Sequence, residues 1–563
     1  MKRSNTLAVV AIALLAFAAS APAAPAAKPP HAAISSAHKL ATDAGFEVLA
    51  EGGNAFDAAV AVAAALSVLE PQSSGIGGGG LFLLRRASDG KETMVDAREA
   101  APAAVDPKDY IDANGAADRN HSTNGPLSAA IPGEPAGIVW IAEHYGKLPL
   151  SKSLAPAIRL AKEGFKPDAR LLGGLDRRKE VIKRFPGSAA LYLVDGETPK
   201  EGWVFKTPDL ARVLEGIAAH GNDGFYRGAL AKTLVDGVRA EGGRWTLDDL
   251  AGYTVKERTP LTSEYKGYRM VTAPPPSSGG IAIAEILNIL SGYDLSKYDS
   301  AHRVHLAVEA MRRAYRDRAE YLGDPDFVEM PIARLMSPDY AAGLRASIHP
   351  DKATPSDLLP GYLDTQQGLS TSHFSIIDTE GNLVSATQTV NLTFGSAFVV
   401  PGTGFVLNDE MDDFALIAGK PNAYGLVGND NNAPKPRSRP LSSMSPSFVD
   451  GPDRLAVLGT PGGSSIITMT VEGILAFIDG EEPAQFVANR RYHHQYLPDV
   501  INAEKDAISP EDIQVLEGMG HRINVAAGTW GYGFMNAVSW DRKTGEMRAA
   551  SDPRGVSGKG EVR

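Results

Sequence analysis

Thr371 opens a run, Thr371-Ser-His-Phe-Ser-Ile-Ile-Asp378, whose β-branched and aromatic residues predict a strand. Gly381-Asn382 supplies a turn tolerant of positive φ, and Leu383 to Asn391 alternates again, so the two runs predict a β-hairpin. Folding it back brings Thr389 and Asn391 opposite Thr371. A threonine hydroxyl becomes a nucleophile for acyl transfer when a base stands beside it. A threonine at a chain start carries its own base, because a free α-amine titrates near ~7.7. No Ser-His-Asp triad is then required. Residues 351–370 upstream hold Pro, Gly and Asp without periodicity, so the hairpin starts where a loop ends and where a chain can be cut. Before such a cut the same hydroxyl can attack the Ser370 carbonyl, giving an ester that water opens. On these residues alone, ordinary strand threonines remain the commoner reading of Thr371 and Thr389.

Acyl transfer also requires donors where the tetrahedral oxyanion forms. Leu455 to Thr460 reads as a strand entering Pro461-Gly462-Gly463-Ser464, with a helix after it. Glycines there let two backbone N–H groups face one point, and a helix N-terminus adds a favourable dipole. A plain Gly-rich turn is the bland alternative. The acidic run Asp409 to Asp413 reads as either a solvated loop or a charged site. Gly75 to Gly80 is not a nucleotide-binding loop: it lacks GxGxxG in a strand-to-helix context and a following P-loop lysine. His493-His494, adjacent and so pointing to opposite sides of an element, reads as structural rather than metal-binding.

The segment TSHFSIID…GN…NLTFG, followed by NDEMDDF and PLSSMSP, resembles the γ-glutamyltranspeptidases of the N-terminal-nucleophile hydrolase superfamily. GGNAFDAAVAVAAAL, EPQSSGIGGGG, DAREAAP at 96–102, PNAYGLVG at 421–428, GTPGGSSIIT at 459–468, RYHHQYLPD at 491–499 and ASDPR extend the resemblance over nearly the whole mature chain. It implies self-cleavage between Ser370 and Thr371, with the freed Thr371 as nucleophile and base, Thr389 supporting its hydroxyl, and Gly462 and Gly463 forming the oxyanion hole. It further implies that Arg98 binds the substrate α-carboxylate with Ser442 and Ser443, and that Asn391, Glu410 and Asp413 hold the α-ammonium. Tyr424, in the Gly- and Pro-framed loop 419–428, matches an active-site lid. The chain departs from the common bacterial pattern at Ser372 for Thr, Phe374 for Tyr, Glu410 for Gln, and Ser464-Ser465, which lacks an arginine.

The elements that must position these residues are mixed. Asn54 caps an apolar helix running to about Leu69, and strands are expected at Leu81 to Leu84 and Thr93 to Asp96. Helical periodicity dominates 128–345, with amphipathic runs at 151–163, 207–219, 225–240 and 303–321; residues 371–563 return to strands, with one helix near 466–478. Lys2-Arg3, the apolar run Leu7 to Ala19 and Ala19-Ser-Ala21 predict a signal peptide over 1–21, and 22–33 an Ala/Pro-rich tether. The apolar run is shorter than the ~20 residues of a spanning helix, so no membrane span is expected in the mature protein. With 563 residues, 43% of them hydrophobic, the chain can bury a large core. Zero cysteines exclude disulfides, Cys-ligated zinc and thiol catalysis. A net charge of −11 argues against nucleic acid as a partner.

These readings converge on an α+β protein. The resemblance implies a four-layer αββα sandwich formed jointly by a helix-rich large subunit (34–370) and a strand-rich catalytic small subunit (371–563), paired as a heterodimer from one precursor. The expected activity is transfer of the γ-glutamyl group of glutathione or related compounds, through a Thr371 ester, to water or to amino acid and peptide acceptors. No cofactor or metal is expected, and the location is periplasmic or secreted. A glutaryl or cephalosporin acylase of the same superfamily is the nearest alternative. A non-catalytic periplasmic binding protein is the alternative from another class.

Overall fold

The computed structural model describes residues 28–359, 370–527 and 533–563. The expected signal segment and the first half of the tether, residues 22–27, lie outside these, and the tether's last residue, Ala33, already belongs to the strand Ala33–Ser36. Among the described residues no helix is long and apolar enough to cross a membrane.

Two antiparallel sheets dominate. The first has seven strands in the order Lys559–Val562, Ala33–Ser36, Ser372–Ile377, Leu383–Thr389, Gly79–Arg85, Glu92–Ala97 and Lys256–Arg258. The second has six, in the order Met547–Ser551, Asn536–Asp541, Arg454–Gly459, Ser447–Asp450, Tyr268–Thr272 and Leu261–Tyr265. Side chains on successive strand residues face opposite sides, and the core clusters follow that period. Leu81, Leu83, Ile377 and Leu383 of the first sheet pack with Phe448, Leu455, Val457 and Val538 of the second. The residues between them, Phe82, Leu84, Phe374, Ile376 and Val384, turn to the outer face and pack with the helix Ala55–Leu69. Ala456 and Leu458 pack outward with the helices Gly279–Leu290, Ser300–Tyr321 and Ile466–Ile478. Helix, sheet, sheet, helix is thus the layering that strand periodicity imposes, the αββα arrangement expected.

The hairpin register pairs Ser372 with Gln388, which sets Thr371 beside Thr389 as the sequence requires. Asp378 Oδ1 accepts from the N–H groups of Glu380 and Asn382, at 2.9 Å each, and closes the turn. The helix Ala55–Leu69 begins with a full capping box from Asn54 and Asp57 and is buried along its whole length. Its N-terminus is tied to the hairpin turn, because Ala55 N–H donates to Asp378 Oδ2 at 2.8 Å. The glycines at 77–79 have a packing reason. A Cβ on Gly78 would lie 1.9 Å from Thr389 O and one on Gly77 2.1 Å from Val406 O, so only bare backbone lets this segment lie against the hairpin. The helical runs expected at 151–163, 207–219 and 303–321 form within a residue or three of those bounds. The strands Leu261–Tyr265 and Tyr268–Thr272 arise inside the helix-dominated region, and two short helices, Pro483–Phe486 and Pro510–Gly518, join the one expected beyond 371.

Candidate active site

Thr371 sits at the mouth of the hairpin, 3% exposed, with φ at 155°, outside the range a residue with a Cβ ordinarily adopts. Its hydroxyl donates to the Ser370 carbonyl across the expected cleavage bond, and Ser370 Oγ is held by Gln72 O at 2.6 Å. Thr371 Oγ1 and Thr389 Oγ1 are 3.1 Å apart. With the Thr371 proton already directed to Ser370 O, Thr389 is the donor of this pair, and it accepts the Asn391 N–H at 2.8 Å. A donor aimed at Oγ1 favours the oxygen as it loses its proton. His373, two residues on, is no competing base: burial lowers it to about 3, and its Nδ1 is bonded to Thr387 Oγ1 at 2.8 Å.

A small cavity opens beside Thr371. Of the residues expected at the site, Thr371, Thr389, Asn391, Arg98, Glu410, Asp413, Tyr424, Ser442, Ser443 and Gly463 line it. Gly462 stands just behind. Its φ of 142° and that of Gly463, 56°, form a turn into the helix Ile466–Ile478, and a Cβ on Gly462 would meet Met469 Cε at 2.4 Å. The N–H groups of Gly462 and Gly463 have no acceptor among the described residues, as an oxyanion hole demands.

The acidic run is not a solvated loop. Glu410–Asp413 is a short 3₁₀ turn in which Glu410, Met411 and Asp412 are buried. Arg98 Nη1 donates to Glu410 Oε1, and Arg98 Nη2 donates to Asp413 Oδ2 at 2.5 Å. Burial pushes both carboxyls above their ordinary range, with Arg98 pulling the other way. The cation expected to hold a carboxylate and the anions expected to hold an ammonium are bonded to one another. Two groups are left over: Glu410 Oε2 and Ser443 Oγ are buried with no hydrogen-bond partner among the described residues.

The loop 419–428, expected as a lid, packs against this arrangement. Tyr424 is 4% exposed, and its Oη donates to Asn391 O at 2.8 Å. Asn422 Nδ2 donates to Asp413 Oδ1 at 3.2 Å and Ala423 N–H to Asp412 Oδ2 at 2.7 Å, so the loop 419–428 is pinned through the acidic turn. Both rings of the His493-His494 pair are engaged by protein partners: His493 by Thr468 and Gln495, His494 by Asp499.

Sequence reasoning missed Arg318, which lines the cavity, and the apolar wall of Leu426, Leu441, Met444 and Ile466. It also missed Tyr315, whose hydroxyl donates to Ser464 O and braces the glycine turn. Tyr315 and Arg318 lie in an Arg- and Ala-rich helical run whose periodicity shows a helix without distinguishing which residue enters a cavity.

The chain matches the family model described as Gamma-glutamyltranspeptidase over residues 41–562. It is 42% identical over 530 residues to the glutathione hydrolase proenzyme of Escherichia coli (strain K12), covering 93% of this chain and 90% of that protein. It is 44% identical over 499 residues to the protein of the same name from Pseudomonas sp. (strain A14), covering 87% of this chain and 86% of that protein. Among solved structures it is similar to the cephalosporin acylase from Bacillus halodurans, with a TM-score of 0.82, 28% identity, and coverage of 98% of this chain and 99% of that one. Because the family match spans nearly the whole chain, and its motifs converge on one cavity, the chain belongs to the γ-glutamyltranspeptidase family.

Proposed function

We propose that this protein is a γ-glutamyl hydrolase and transferase that cuts its own chain between Ser370 and Thr371 and then uses Thr371 as nucleophile. The observation that carries the reading is the pair of buried, unpartnered groups beside Thr371: an acceptor, Glu410 Oε2, and a donor, Ser443 Oγ. A γ-glutamyl group brings an ammonium for the first and a carboxylate for the second. Buried polar atoms are normally paired, and these two would be completed by a zwitterion.

In maturation, Thr371 Oγ1 attacks the Ser370 carbonyl carbon, the C–N bond breaks, and an ester to Oγ1 forms. Water then opens the ester, leaving a carboxylate at Ser370 and a free amine on Thr371. The hydroxyl already touches the Ser370 carbonyl, and the positive φ of Thr371 is strain that cutting relieves. In turnover, the α-amine takes the hydroxyl proton as Oγ1 attacks the γ-carbonyl, and the amides of Gly462 and Gly463 stabilise the oxyanion. The leaving amine departs protonated. Water, or the amine of an amino acid or peptide, then takes the glutamyl group from Oγ1. On this reading the fragments before and after the cut remain paired as a heterodimer, the substrates are glutathione and related compounds, and the apolar N-terminal segment directs export to the periplasm or beyond.

A second reading, a glutaryl-type acylase, is favoured by the similarity to the cephalosporin acylase. A glutaryl group has no ammonium, which would leave Glu410 Oε2 and Asp413 without a ligand partner. Mass spectrometry and release of anilide from L-γ-glutamyl anilide test the proposal together. Wild type should give two polypeptides, the second starting at Thr371, and release anilide; Thr371→Ala should give one uncut, inactive chain. A wild type that stays whole, or that cleaves glutaryl anilide in preference, defeats it.

A further inference from the structure

The turn that follows the helix Ala55–Leu69 reaches both sides of the Ser370–Thr371 bond. Glu70 O accepts from the N–H groups of Ser73 and Ser74, at 2.8 and 3.1 Å, which folds residues 70–74 tightly. Before the bond, Ser370 Oγ donates to Gln72 O. After it, Ser372 Oγ donates to Glu70 Oε2 at 2.8 Å and accepts from Ser74 Oγ at 3.1 Å. The turn also holds the end of the second hairpin strand, since Val390 N–H donates to Ser73 O and Phe394 N–H to Gln72 O. None of residues 70–74 lines the cavity beside Thr371, so substrate binding does not account for these bonds.

The bonds around Ser372 all run one way. Gln388 Nε2 donates to Ser74 Oγ at 3.0 Å, Ser74 Oγ to Ser372 Oγ, and Ser372 Oγ to Glu70 Oε2, so each hydroxyl commits its one proton to the next group. The relay ends on a carboxylate whose two oxygens accept from Arg170 Nη1 at 2.9 and 3.0 Å. Arg170 is fixed in turn: its Nη2 donates to Ser73 Oγ at 2.9 Å, and its guanidinium lies 4.5 Å from the centre of the Phe534 ring. Burial raises the Glu70 carboxyl, while Arg170 and the Ser372 hydroxyl pull it back. Cutting the chain removes one grip of the turn and leaves the other. Ser370 then ends the preceding fragment, so Gln72 no longer bears on Thr371, whereas Glu70 and Ser74 still hold the residue that Thr371 is joined to.

We propose that Glu70 is a positioning residue for the nucleophile: set by Arg170 in the fragment before the cut, it grips the Ser372 hydroxyl of the fragment after it and so fixes where Thr371 Oγ1 points during turnover. This rests on Thr371 being the nucleophile, as in the reading above. A freed N-terminal residue has lost its covalent anchor on one side, and a hydrogen bond to a carboxylate on the next side chain is among the stronger ways to replace it.

The test is the kinetics of anilide release from L-γ-glutamyl anilide, with maturation followed on a denaturing gel. Glu70→Ala and Ser372→Ala remove the same bond from its two ends. Each should lower kcat by on the order of 10- to 100-fold and change KM less than about 3-fold, because moving a reacting atom by about 1 Å costs rate while the substrate contacts stay. The double variant should fall no more than about 3-fold below the worse single one, since one interaction cannot be lost twice. Ser372→Thr keeps a hydroxyl and should stay within about 3-fold of wild type in kcat. If Glu70→Ala stays uncut, Ser372→Ala against Ser372→Thr carries the test. A loss confined to KM, losses that multiply in the double variant, an unchanged kcat, or Ser372→Thr as poor as Ser372→Ala overturns the proposal and leaves Glu70 and Arg170 an ion pair that only holds the fold. Both alanine variants remaining uncut would place the bond in maturation rather than turnover and overturn it as well. A wild type inactive on the glutamyl anilide would instead strike the γ-glutamyl reading itself, an outcome visible before any variant is made.

Discussion

On the proposed function, Asp413 is the residue that separates a glutamyl from a glutaryl substrate. Its Oδ2 holds Arg98 at 2.5 Å and its Oδ1 accepts from the lid through Asn422, so it is placed to exchange one cation for another when an ammonium arrives. Asp413→Asn keeps the shape and removes the charge. A desolvated ammonium left without its partner costs on the order of 2–5 kcal/mol, so activity on L-γ-glutamyl anilide should fall by about 10²-fold or more. Glutaryl anilide has no ammonium, and the variant should process it nearly as well as wild type does. The ratio of kcat/KM for the two substrates reads the effect directly, and an equal fall on both would reduce Asp413 to a structural role. At this scale the sequence was legible wherever a residue stands in a distinctive string: Arg98 in DAREAAP, the acidic turn in NDEMDDF, the serines in PLSSMSP. Arg318 was not, because four arginines crowd 312–318 and only the packing around each separates the one that enters the cavity from those paired elsewhere.

The helix Glu134–Tyr145 packs behind the strands Gly79–Arg85 and Glu92–Ala97, and its first residue, Glu134, is wholly buried. Neither carboxyl oxygen of Glu134 has a hydrogen-bond partner among the described residues, and burial raises it from an ordinary 4.5 to about 8. The dipole at the helix start, worth about 0.3–1 kcal/mol, favours the ionised form but is too small to cancel that. A carboxyl whose folded pKa exceeds its unfolded one binds its proton more tightly in the folded state. Its contribution to stability is therefore full below about 4.5 and is lost as pH rises towards about 8. Glu134→Gln should match wild type near pH 4.5 and exceed it at pH 8, by on the order of a few kcal/mol. Melting temperatures at pH 5 and 8, taken in the uncut Thr371→Ala background so that one chain unfolds, measure it. Glu99, raised in the same way to about 8, keeps its own share, so the slope should be reduced rather than abolished; parallel curves would mean Glu134 is ionised in the fold. Elements with strong local signals were legible, namely the capped helix at 55–69 and the hairpin at 372–389. The strands at 261–272 were not, because they sit among helices and are strands only because a sheet edge waits for them at Ser447–Asp450.

On the scale of the whole molecule, what matters is how the two sides of the Ser370–Thr371 bond interlock. Ala33–Ser36 pairs on one side with Ser372–Ile377 and on the other with Lys559–Val562, so a strand from before the bond lies between two from after it. Gly79–Arg85 pairs with Leu383–Thr389 in the first sheet, and Tyr268–Thr272 pairs with Ser447–Asp450 in the second. Both large sheets are shared across the bond, and separating the halves would bare strand edges and the core faces that meet between the sheets. Sequence could not supply this order, since pairing between the two ends of the chain leaves no local trace; the αββα layering came from the family resemblance, and the alternation of Leu81, Phe82, Leu83 and Leu84 between two cores is its physical basis. The prediction is that cutting changes the covalent chain without releasing a subunit. Mature protein diluted to nanomolar concentration should keep both fragments in one species by native mass spectrometry, and should part only in denaturant strong enough to remove its far-UV circular dichroism. Loss of the fragment that precedes the cut, with the remainder still folded, would show that the strands crossing the cut are not what holds the mature enzyme together.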